Sequence, residues 1–192
     1  MIIFTLKEGE TLKINKLISV DENSLNMHPF FKANSLAINF TKDTLYPFMN
    51  ATHNHRKILW VKRRERRFII DEESLIIELR GNGFLIHDVF LEGMSLNDQA
   101  ALFSMHECIV GAHGAAFTNI IFCKEGAQII EIFAHCNGTP TFMLIAKSLG
   151  LIHHTYIAEA IQTDHINYPN LAVNNISFIK FMKERIEIAR IN

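Results

Sequence analysis

The sequence has 192 residues, of which 48% are hydrophobic and 20% are charged. This composition is typical of a globular protein with a buried core, and it excludes a disordered or fibrous chain. The net charge of −1 excludes a basic field over the whole chain that would attract nucleic acid. At about 150 residues per domain, the length predicts one domain, or one domain and a small extension.

The start of the chain and its cysteines predict a reducing compartment. The first residues, MIIFTLKEGETLKI, become charged too early for a secretory signal peptide. No apolar run reaches the roughly 18 residues of a transmembrane span. The cysteines (Cys108, Cys123 and Cys136) are odd in number and lack the spacing of a disulfide framework or a zinc site. We therefore expect a cytoplasmic protein, either free or peripheral at the inner face of the membrane.

Residues 1–55 give weak signals, and from residue 57 the pattern becomes regular. In the first part we expect two short strands and two loop or short helical segments: Ile2–Leu6, Leu12–Val20, His28–Phe31 and Asp43–Asn50. In the second part, five apolar runs predict strands: Lys57–Lys62, Phe84–Phe90, Glu107–Gly111, Ala127–Phe133 and Leu151–Ile157. We expect residues 1–55 to be a short N-terminal extension and residues 56–192 to be the folded domain.

Helix signals separate these strands. N-caps are expected at four residues, Asp71, Ser95, Thr139 and Asn175. Pro140 is expected at the first position of its helix, and a further helix is expected to end at Phe122. Strands and helices that alternate at intervals of about 20–25 residues predict an α/β fold with a Rossmann-like, doubly wound parallel sheet. The order of the strands cannot be read from the sequence.

The segment Gly111-Ala-His-Gly-Ala-Ala116 joins a predicted strand to a predicted helix. Ligands of open α/β sheets bind beyond the carboxyl ends of the strands, so this turn lies at the expected binding edge. Small residues let backbone N–H groups approach a phosphate, and His113 can bind phosphate or transfer a proton. A tight turn that packs helix against strand explains the same pattern, and both interpretations stay open.

A basic run, Lys62-Arg63-Arg64-Glu65-Arg66-Arg67, begins at the end of the first regular strand. Seven of the 19 basic residues lie between Arg56 and Arg67. Guanidinium groups match phosphate oxygens, so a cluster just after a strand can hold a diphosphate. A solvated charged loop and a localisation-like basic segment are the alternative interpretations.

Glu131 stands alone in the apolar strand predicted at Ala127–Phe133. Burying an unpaired carboxylate is costly. Glu131 is therefore either paired within the fold or available to hydrogen bonds from ribose or sugar hydroxyls.

The histidines and cysteines do not predict a metal site or a thiol nucleophile. His153 and His154 are adjacent on a predicted strand, so their side chains point to opposite faces. No complete set of metal ligands occurs, and no cysteine has a partnered base motif. We expect no metal.

Several separate motifs together resemble glycosyltransferase family 61. The stretch Ile109–Phe122, IVGAHGAAFTNIIF, followed by Ile129-Ile-Glu-Ile132, resembles the family signature. Upstream, three further segments occur in the order of the family: Arg67-Phe-Ile-Ile-Asp-Glu72, Gly83-Phe84 and Ser95–Phe103 with Gln99. The resemblance covers residues 57–157. The sequence departs from the pattern at Asp71, Ala112 and Ala116, where the family has asparagine, proline and glycine.

The resemblance implies an inverting glycosyltransferase of capsular polysaccharide or other glycan synthesis. It implies a GT-B architecture, in which two Rossmann-like lobes face each other, with this chain as the C-terminal lobe that binds the nucleotide sugar. Residues 1–55 would then be an extension or a remnant of the acceptor-side lobe. The implied partners are a UDP-linked donor, a glycan or polysaccharide acceptor and a second lobe or chain, with no obligatory metal cofactor.

Residue by residue, the resemblance assigns the donor diphosphate to five residues: Arg63, Arg67, His113, Gly114 and Ala115. Asn119 and Glu131 match the family pattern and would contact the ribose or sugar or support the site. Gln99 matches as well and can be structural. His113 is the motif residue whose chemistry suits a catalytic base, and it suits phosphate binding equally.

Three functions are consistent with the sequence. The first is a glycosyltransferase to which this chain contributes the donor-binding part. The second is a module that binds a nucleotide or nucleotide sugar without transfer and needs a partner lobe. The third is a nucleic-acid binder using Arg63–Arg67, against which the near-neutral charge and the lack of interleaved aromatic residues argue. Compared with the two-lobed architecture that the resemblance implies, we expect this chain to be short by about one lobe.

Overall fold

The computed structural model describes residues 38, 40, 42, 43, 55–134, 140–161 and 169–186, without the side chains of 55–57. The elements expected before residue 55 lie outside these residues, apart from Asp43. The expected N-cap Thr139 lies outside them too.

Six strands form one sheet in the described part of the chain. They are β1 (His55–Lys62), β2 (Ile86–Phe90), β3 (His106–Ala112), β4 (Gln128–Ala134), β5 (Ile152–Ile161) and β6 (Asn170–Ala172). The order across the sheet is β2-β1-β3-β4-β5-β6. All neighbours are parallel except β5 and β6, which are antiparallel. The five strands predicted from the sequence are confirmed, and β6 is an addition.

Helices cover both faces of the sheet. They are α1 (Glu72–Gly81), α2 (Leu96–Met105), the 3₁₀ helix η1 (Ala115–Phe122), α3 (Thr141–Ser148) and α4 (Asn175–Arg185). Side chains of α1 and α4 are buried against one face of the sheet, and side chains of α2, η1 and α3 against the other. The prediction of a doubly wound, Rossmann-like α/β fold is therefore confirmed.

Strand β1 is buried on both of its faces. Ile58 and Trp60 point into the layer of α1 and α4, whereas Leu59 and Val61 point into the opposite layer. None of the four is more than 3% exposed. Each such burial contributes about 1.5–3 kcal/mol relative to an exposed side chain, which is why a central parallel strand is a continuous apolar run. The helices on both faces of the sheet therefore pack against β1.

The strand order creates a switch point between β1 and β3. The chain passes from β1 to β2 on one side and then crosses back to β3 on the other side of β1. Connections that leave two adjacent strands in opposite directions open a crevice at their carboxyl ends, where ligands of such sheets bind. The basic run follows β1, and the turn that contains His113 follows β3, so both segments lie at this crevice.

The N-caps differ from the prediction at two helices. Ser95 caps α2 as predicted, with its hydroxyl accepting from a backbone N–H. Asp71 precedes α1 but has φ 55° and makes no side-chain cap bond, because capping geometry needs an extended backbone. The cap of α4 is Asn174, which accepts from the N–H of Ser177 at 3.0 Å, rather than the predicted Asn175.

Two other helix predictions need correction. The helix predicted to end at Phe122 is 3₁₀ rather than α-helical, and the N–H of Phe117 donates to the carbonyl of Gly114 at 2.9 Å. Side chains three residues apart align in a 3₁₀ helix, which lets Phe117 and Ile120 enter the core together. Pro140 is the N-cap of α3 instead of its first residue.

Candidate functional site

A cleft of about 620 Å³ opens at the switch point. The end of β1, the residues after β2, helix α2 and the start of η1 form its walls. Its lining consists of Val61, Lys62, Arg63, Arg64, Glu65, Leu91, Glu92, Gln99, Ala115, Ala116 and Asn119. Cavities of this size accommodate small organic ligands.

Arg63 ties the end of β1 to the turn after β3. Its Nη1 donates to the carbonyl of His113 at 3.2 Å, and its Nε donates to the carbonyl of Arg66 at 3.1 Å. The guanidinium lies against Gly114, where an added Cβ would overlap it. Glycine at this position therefore makes room for the arginine.

Burial lowers the pKa of the Arg63 guanidinium, and the positive charge of Arg67 lowers it further. Glu92 partly offsets these effects. Two cations close together, one of them half-buried, favour an anion beside them, because the anion relieves their repulsion and compensates for lost hydration.

The loop after β1 contains residues in the left-handed region of backbone conformation. Arg66 has φ 37°, Arg67 has φ 59° and Asp71 has φ 55°. This conformation is unfavourable for residues with a Cβ, and it persists only where the surrounding structure enforces it. The loop is therefore held in a defined shape that places Arg67 beside His113.

Arg67 and His113 both line a small pocket. Its remaining lining is apolar, from Ile132, Phe133, Ala134 and Leu171. The ring of His113 stacks on Phe133 with centroids 4.6 Å apart and an interplanar angle of 22°. A second ring, Phe142, lies at 5.6 Å. The imidazole is thus fixed between aromatic side chains.

Glu131 lies on β4 beneath His113 and is paired within the fold. It is 0% exposed. Its Oε1 accepts from Nδ1 of His113 at 2.5 Å, and its Oε2 accepts from Nε2 of His153 at 2.8 Å. The two imidazole side chains are 12% and 7% exposed, respectively. Both carboxylate oxygens therefore have a partner, which is how the fold tolerates a buried carboxylate.

Asn119 and Gln99 form the back wall of the cleft. Nδ2 of Asn119 donates to Oε1 of Gln99 at 2.8 Å, and Nε2 of Gln99 donates to the carbonyl of Met94 at 3.1 Å. These bonds connect η1 to α2 and fix the side of the cleft.

Comparison with known proteins identifies the family of this chain. The sequence profile of one protein family, described as glycosyltransferase 61, matches residues 3–130.

The chain belongs to the glycosyltransferase 61 family.

Two relatives show how far the similarity extends. A beta-1,2-xylosyltransferase of Arabidopsis thaliana is 38% identical over 73 residues, which are 38% of this chain and 12% of the relative. An EGF domain-specific O-linked N-acetylglucosamine transferase of Drosophila melanogaster is 24% identical over 102 residues, which are 52% of this chain and 19% of the relative. The chain therefore matches less than a fifth of the length of either protein.

In this family 61 chain, the predicted site residues form two groups, with Gly114 and Glu131 next to them. Arg63, Ala115 and Asn119 line the cleft. Arg67 and His113 line the small pocket next to it. Gly114 lies between the groups, against Arg63, and Glu131 supports His113 from below.

Sequence reasoning missed His153 as a member of this site. A lone carboxylate in a buried strand needs a hydrogen-bond donor, and His153 lies on the neighbouring strand, so a signal was present. Only the register of β4 against β5 shows that the two side chains meet.

The basic run does not act as one cationic surface. Lys62 forms ion pairs with Glu73 and with Asp88, the latter at 3.1 Å. Burial lowers the pKa of Lys62, but its hydrogen bonds to these carboxylates outweigh burial and raise the pKa above its ordinary value. Arg64 lies over the ring of Phe90, 4.5 Å from its centroid. Arg63 contacts the turn after β3, and Arg67 lines a pocket together with His113 of that turn.

No group of three or more His, Cys, Asp or Glu side chains among the described residues has the geometry of a metal site. Cys108 and Cys123 are buried, and burial raises the pKa of Cys123 to about 12. Within the same described residues, no helix has the length and apolarity to cross a membrane.

Proposed function

We propose that this chain is the nucleotide-sugar-binding lobe of an inverting glycosyltransferase that acts in polysaccharide or glycan synthesis. The observation that carries the proposal is the meeting of Arg63, Arg67 and His113 at the switch point, next to a cleft large enough for a nucleotide. Membership of family 61 and the named activities of two relatives, a xylosyltransferase and an N-acetylglucosamine transferase, support a transferase.

The donor diphosphate binds at the junction of β1, β3 and η1. Arg63 and Arg67 offer guanidinium groups that match phosphate oxygens in geometry and charge. The first residues of η1, Ala115 and Ala116, line the cleft and leave room for a phosphate near the helix start. Asn119 lies further along η1, where ribose or sugar hydroxyls of a UDP-linked donor reach the cleft wall.

The reaction needs charge stabilisation on the leaving group and a base for the acceptor. An acceptor hydroxyl oxygen bonds to the anomeric carbon, the bond from that carbon to the diphosphate oxygen breaks, and the acceptor proton passes to a base. Negative charge grows on the diphosphate, which the two arginines stabilise without an obligatory metal. We propose that a second Rossmann-like lobe, in the GT-B arrangement, brings the glycan acceptor to this edge of the sheet.

His113 has two chemically distinct roles available at this edge. With a proton on Nε2 it donates to a phosphate oxygen, and with Nε2 bare it accepts the proton of the acceptor hydroxyl. The roles predict different behaviour of His113→Ala. If His113 binds phosphate, its replacement lowers UDP affinity. If His113 is the base, its replacement leaves UDP affinity unchanged and abolishes transfer.

Calorimetric titration with UDP, UMP and uridine tests the proposal. UDP is expected to bind more tightly than UMP, because the second phosphate reaches a second guanidinium. Arg63→Ala and Arg67→Ala are each expected to lower UDP affinity by about 10- to 150-fold, the size of a charge-assisted hydrogen bond. Arg185→Ala is the control, since this arginine lies on α4 and stacks on Phe181.

Two results would contradict the proposal. One is the lack of UDP binding at millimolar concentration. The other is equal UDP affinity in the wild type and in both switch-point variants. UDP binding without transfer across several donors and acceptors would instead favour a binding module that needs a partner lobe.

A further inference from the structure

Glu131 holds one imidazole on each of its oxygens. A carboxylate can only accept hydrogen bonds, so the nitrogens that face it, Nδ1 of His113 and Nε2 of His153, carry the hydrogens. The bond to Oε1 therefore fixes the tautomer of His113: Nδ1 is protonated toward Glu131, and Nε2 is the nitrogen that remains for a ligand.

We propose that His153 is a positioning residue for His113. By donating to Oε2, His153 holds the Glu131 carboxylate in place as a hydrogen-bond acceptor, and Glu131 in turn keeps His113 in the Nδ1–H tautomer. The identity of the ligand at Nε2 rests on the proposed function: a bare Nε2 accepts from an acceptor hydroxyl, whereas a ring with hydrogens on both nitrogens donates to a phosphate oxygen. The effect of His153 on the tautomer does not.

The role of His153 follows from the burial of Glu131. Without His153, Oε2 would be a fully buried oxygen that has lost its hydrogen-bond donor. An oxygen in this state is costly to bury, and the carboxylate avoids the cost by rotating toward another donor. A rotated carboxylate no longer presents Oε1 to Nδ1 of His113, so the ring loses the acceptor that favours a hydrogen on Nδ1. The tautomer needed at the site therefore depends on a residue that does not reach it.

The side chains around His113 restrict rotation of its ring, so the tautomer is the property of this ring that can still change. Phe133 stacks on the ring, and Phe142 restricts it from another side. The charged groups near it are Arg67, which lines the same pocket, and Arg63, which binds its carbonyl. Since the ring cannot easily turn, the hydrogen on Nδ1 is the feature that Glu131 controls.

His154 supplies a matched control on the same strand. It follows His153 directly, so its side chain points to the opposite face of the sheet. Burial lowers the pKa of His154, and the positive charge of Arg185 on α4 lowers it further. A substitution of His154 perturbs the same strand without touching Glu131.

Long-range ¹H–¹⁵N spectra of the imidazoles test the proposal in the 192-residue chain without nucleotide. In the wild type, we expect His113 to show the Nδ1–H tautomer with a bare Nε2. His153→Ala is expected to lose this preference. His153→Gln, whose amide N–H can take the place of Nε2–H, is expected to retain it, and His154→Gln is expected to match the wild type.

An unchanged tautomer of His113 in folded His153→Ala would overturn the proposal. If that variant does not fold, His153→Met gives the same test, because methionine fills a similar volume and offers Oε2 of Glu131 no hydrogen-bond donor. Loss of the Nδ1–H tautomer supports the proposal there, and an unchanged tautomer overturns it. UDP titration of the wild type and the same variants separates the two proposals: if UDP does not bind even to the wild type, the proposed function fails, while the tautomer result still decides the role of His153.

Discussion

Replacing Gly114 with alanine is expected to act through Arg63 and not through the backbone of the turn. Gly114 has φ 166°, an extended conformation that any residue adopts. A Cβ at this position would lie 2.9 Å from Cζ of Arg63 and would overlap its guanidinium. Because the guanidinium ends a flexible side chain, it moves aside, and its 3.2 Å hydrogen bond to the carbonyl of His113 is lost.

The contacts of Arg63 set the size of the effect. Loss of one hydrogen bond from a half-buried guanidinium lowers the free energy of unfolding by about 0.5–1.5 kcal/mol. Loss of a charge-assisted contact to a diphosphate costs about 1.5–3 kcal/mol, which weakens UDP binding by about 10- to 150-fold. Since both losses come from one displaced side chain, Arg63→Ala is expected to give similar values.

A double-mutant cycle measures this dependence. UDP affinity by calorimetry and stability by urea denaturation are compared for Gly114→Ala, Arg63→Ala and the double variant, which is expected to resemble either single variant. Gly81→Ala is the control: its Cβ would meet no heavy atom within 4 Å, so UDP affinity stays unchanged. If the effects of Gly114→Ala and Arg63→Ala on UDP binding add in the double variant, the two residues act independently and the reasoning fails.

Three further predictions concern the fold around the site. Gly111→Ala is expected to lower the free energy of unfolding by about 1–3 kcal/mol, because its Cβ would lie 2.8 Å from the carbonyl oxygen of Val61 on the neighbouring strand; wild-type stability in urea would contradict the close packing of β1 on β3. Burial raises the pKa of Glu72 from 4.5 to about 7, although the side chain of Trp60 donates to it and opposes the rise. The unfolded chain therefore ionises first as the pH rises from about 4.5 to 7, and stability relative to Glu72→Gln falls by roughly 3 kcal/mol over that window; parallel stability curves for the two proteins would refute this. Ser95→Ala removes the N-cap of α2 and is expected to cost about 1 kcal/mol in thermal or urea unfolding, and no loss would show that the cap bond is unimportant.

Local patterns were enough to predict most of the fold. The apolar runs identified the strands β1 to β5 because a parallel strand covered on both faces has few polar positions. Ser95 was predicted as a cap because its hydroxyl is followed by residues that suit a helix start. Adjacent capping residues at 174 and 175 could not be ranked locally, and the left-handed backbone at Asp71 depends on the loop before it.

Features that depend on contacts between distant segments of the chain could not be predicted from the sequence. Strand order arises from the crossing of β3 over to the far side of β1, and apolar runs carry no information on pairing. The site residues Arg63 and Arg67 were expected near the turn after β3 only through the general rule for parallel sheets and the family resemblance. The contact of Glu131 with His153 depends on the register between two strands, and a shift of one residue would have placed His154 there instead.

The central position of β1 also affects how the chain assembles. Along the described chain β1 is the first strand, yet both of its neighbours follow it, so during synthesis one edge stays open until β3 emerges. An open edge of an apolar strand is a template for pairing with another molecule. The run Lys62–Arg67 places several like charges at the carboxyl end of this strand, and charges that flank an apolar strand oppose its pairing with other chains. Residues that we propose hold a diphosphate in the finished protein thus also oppose aggregation before the sheet is complete.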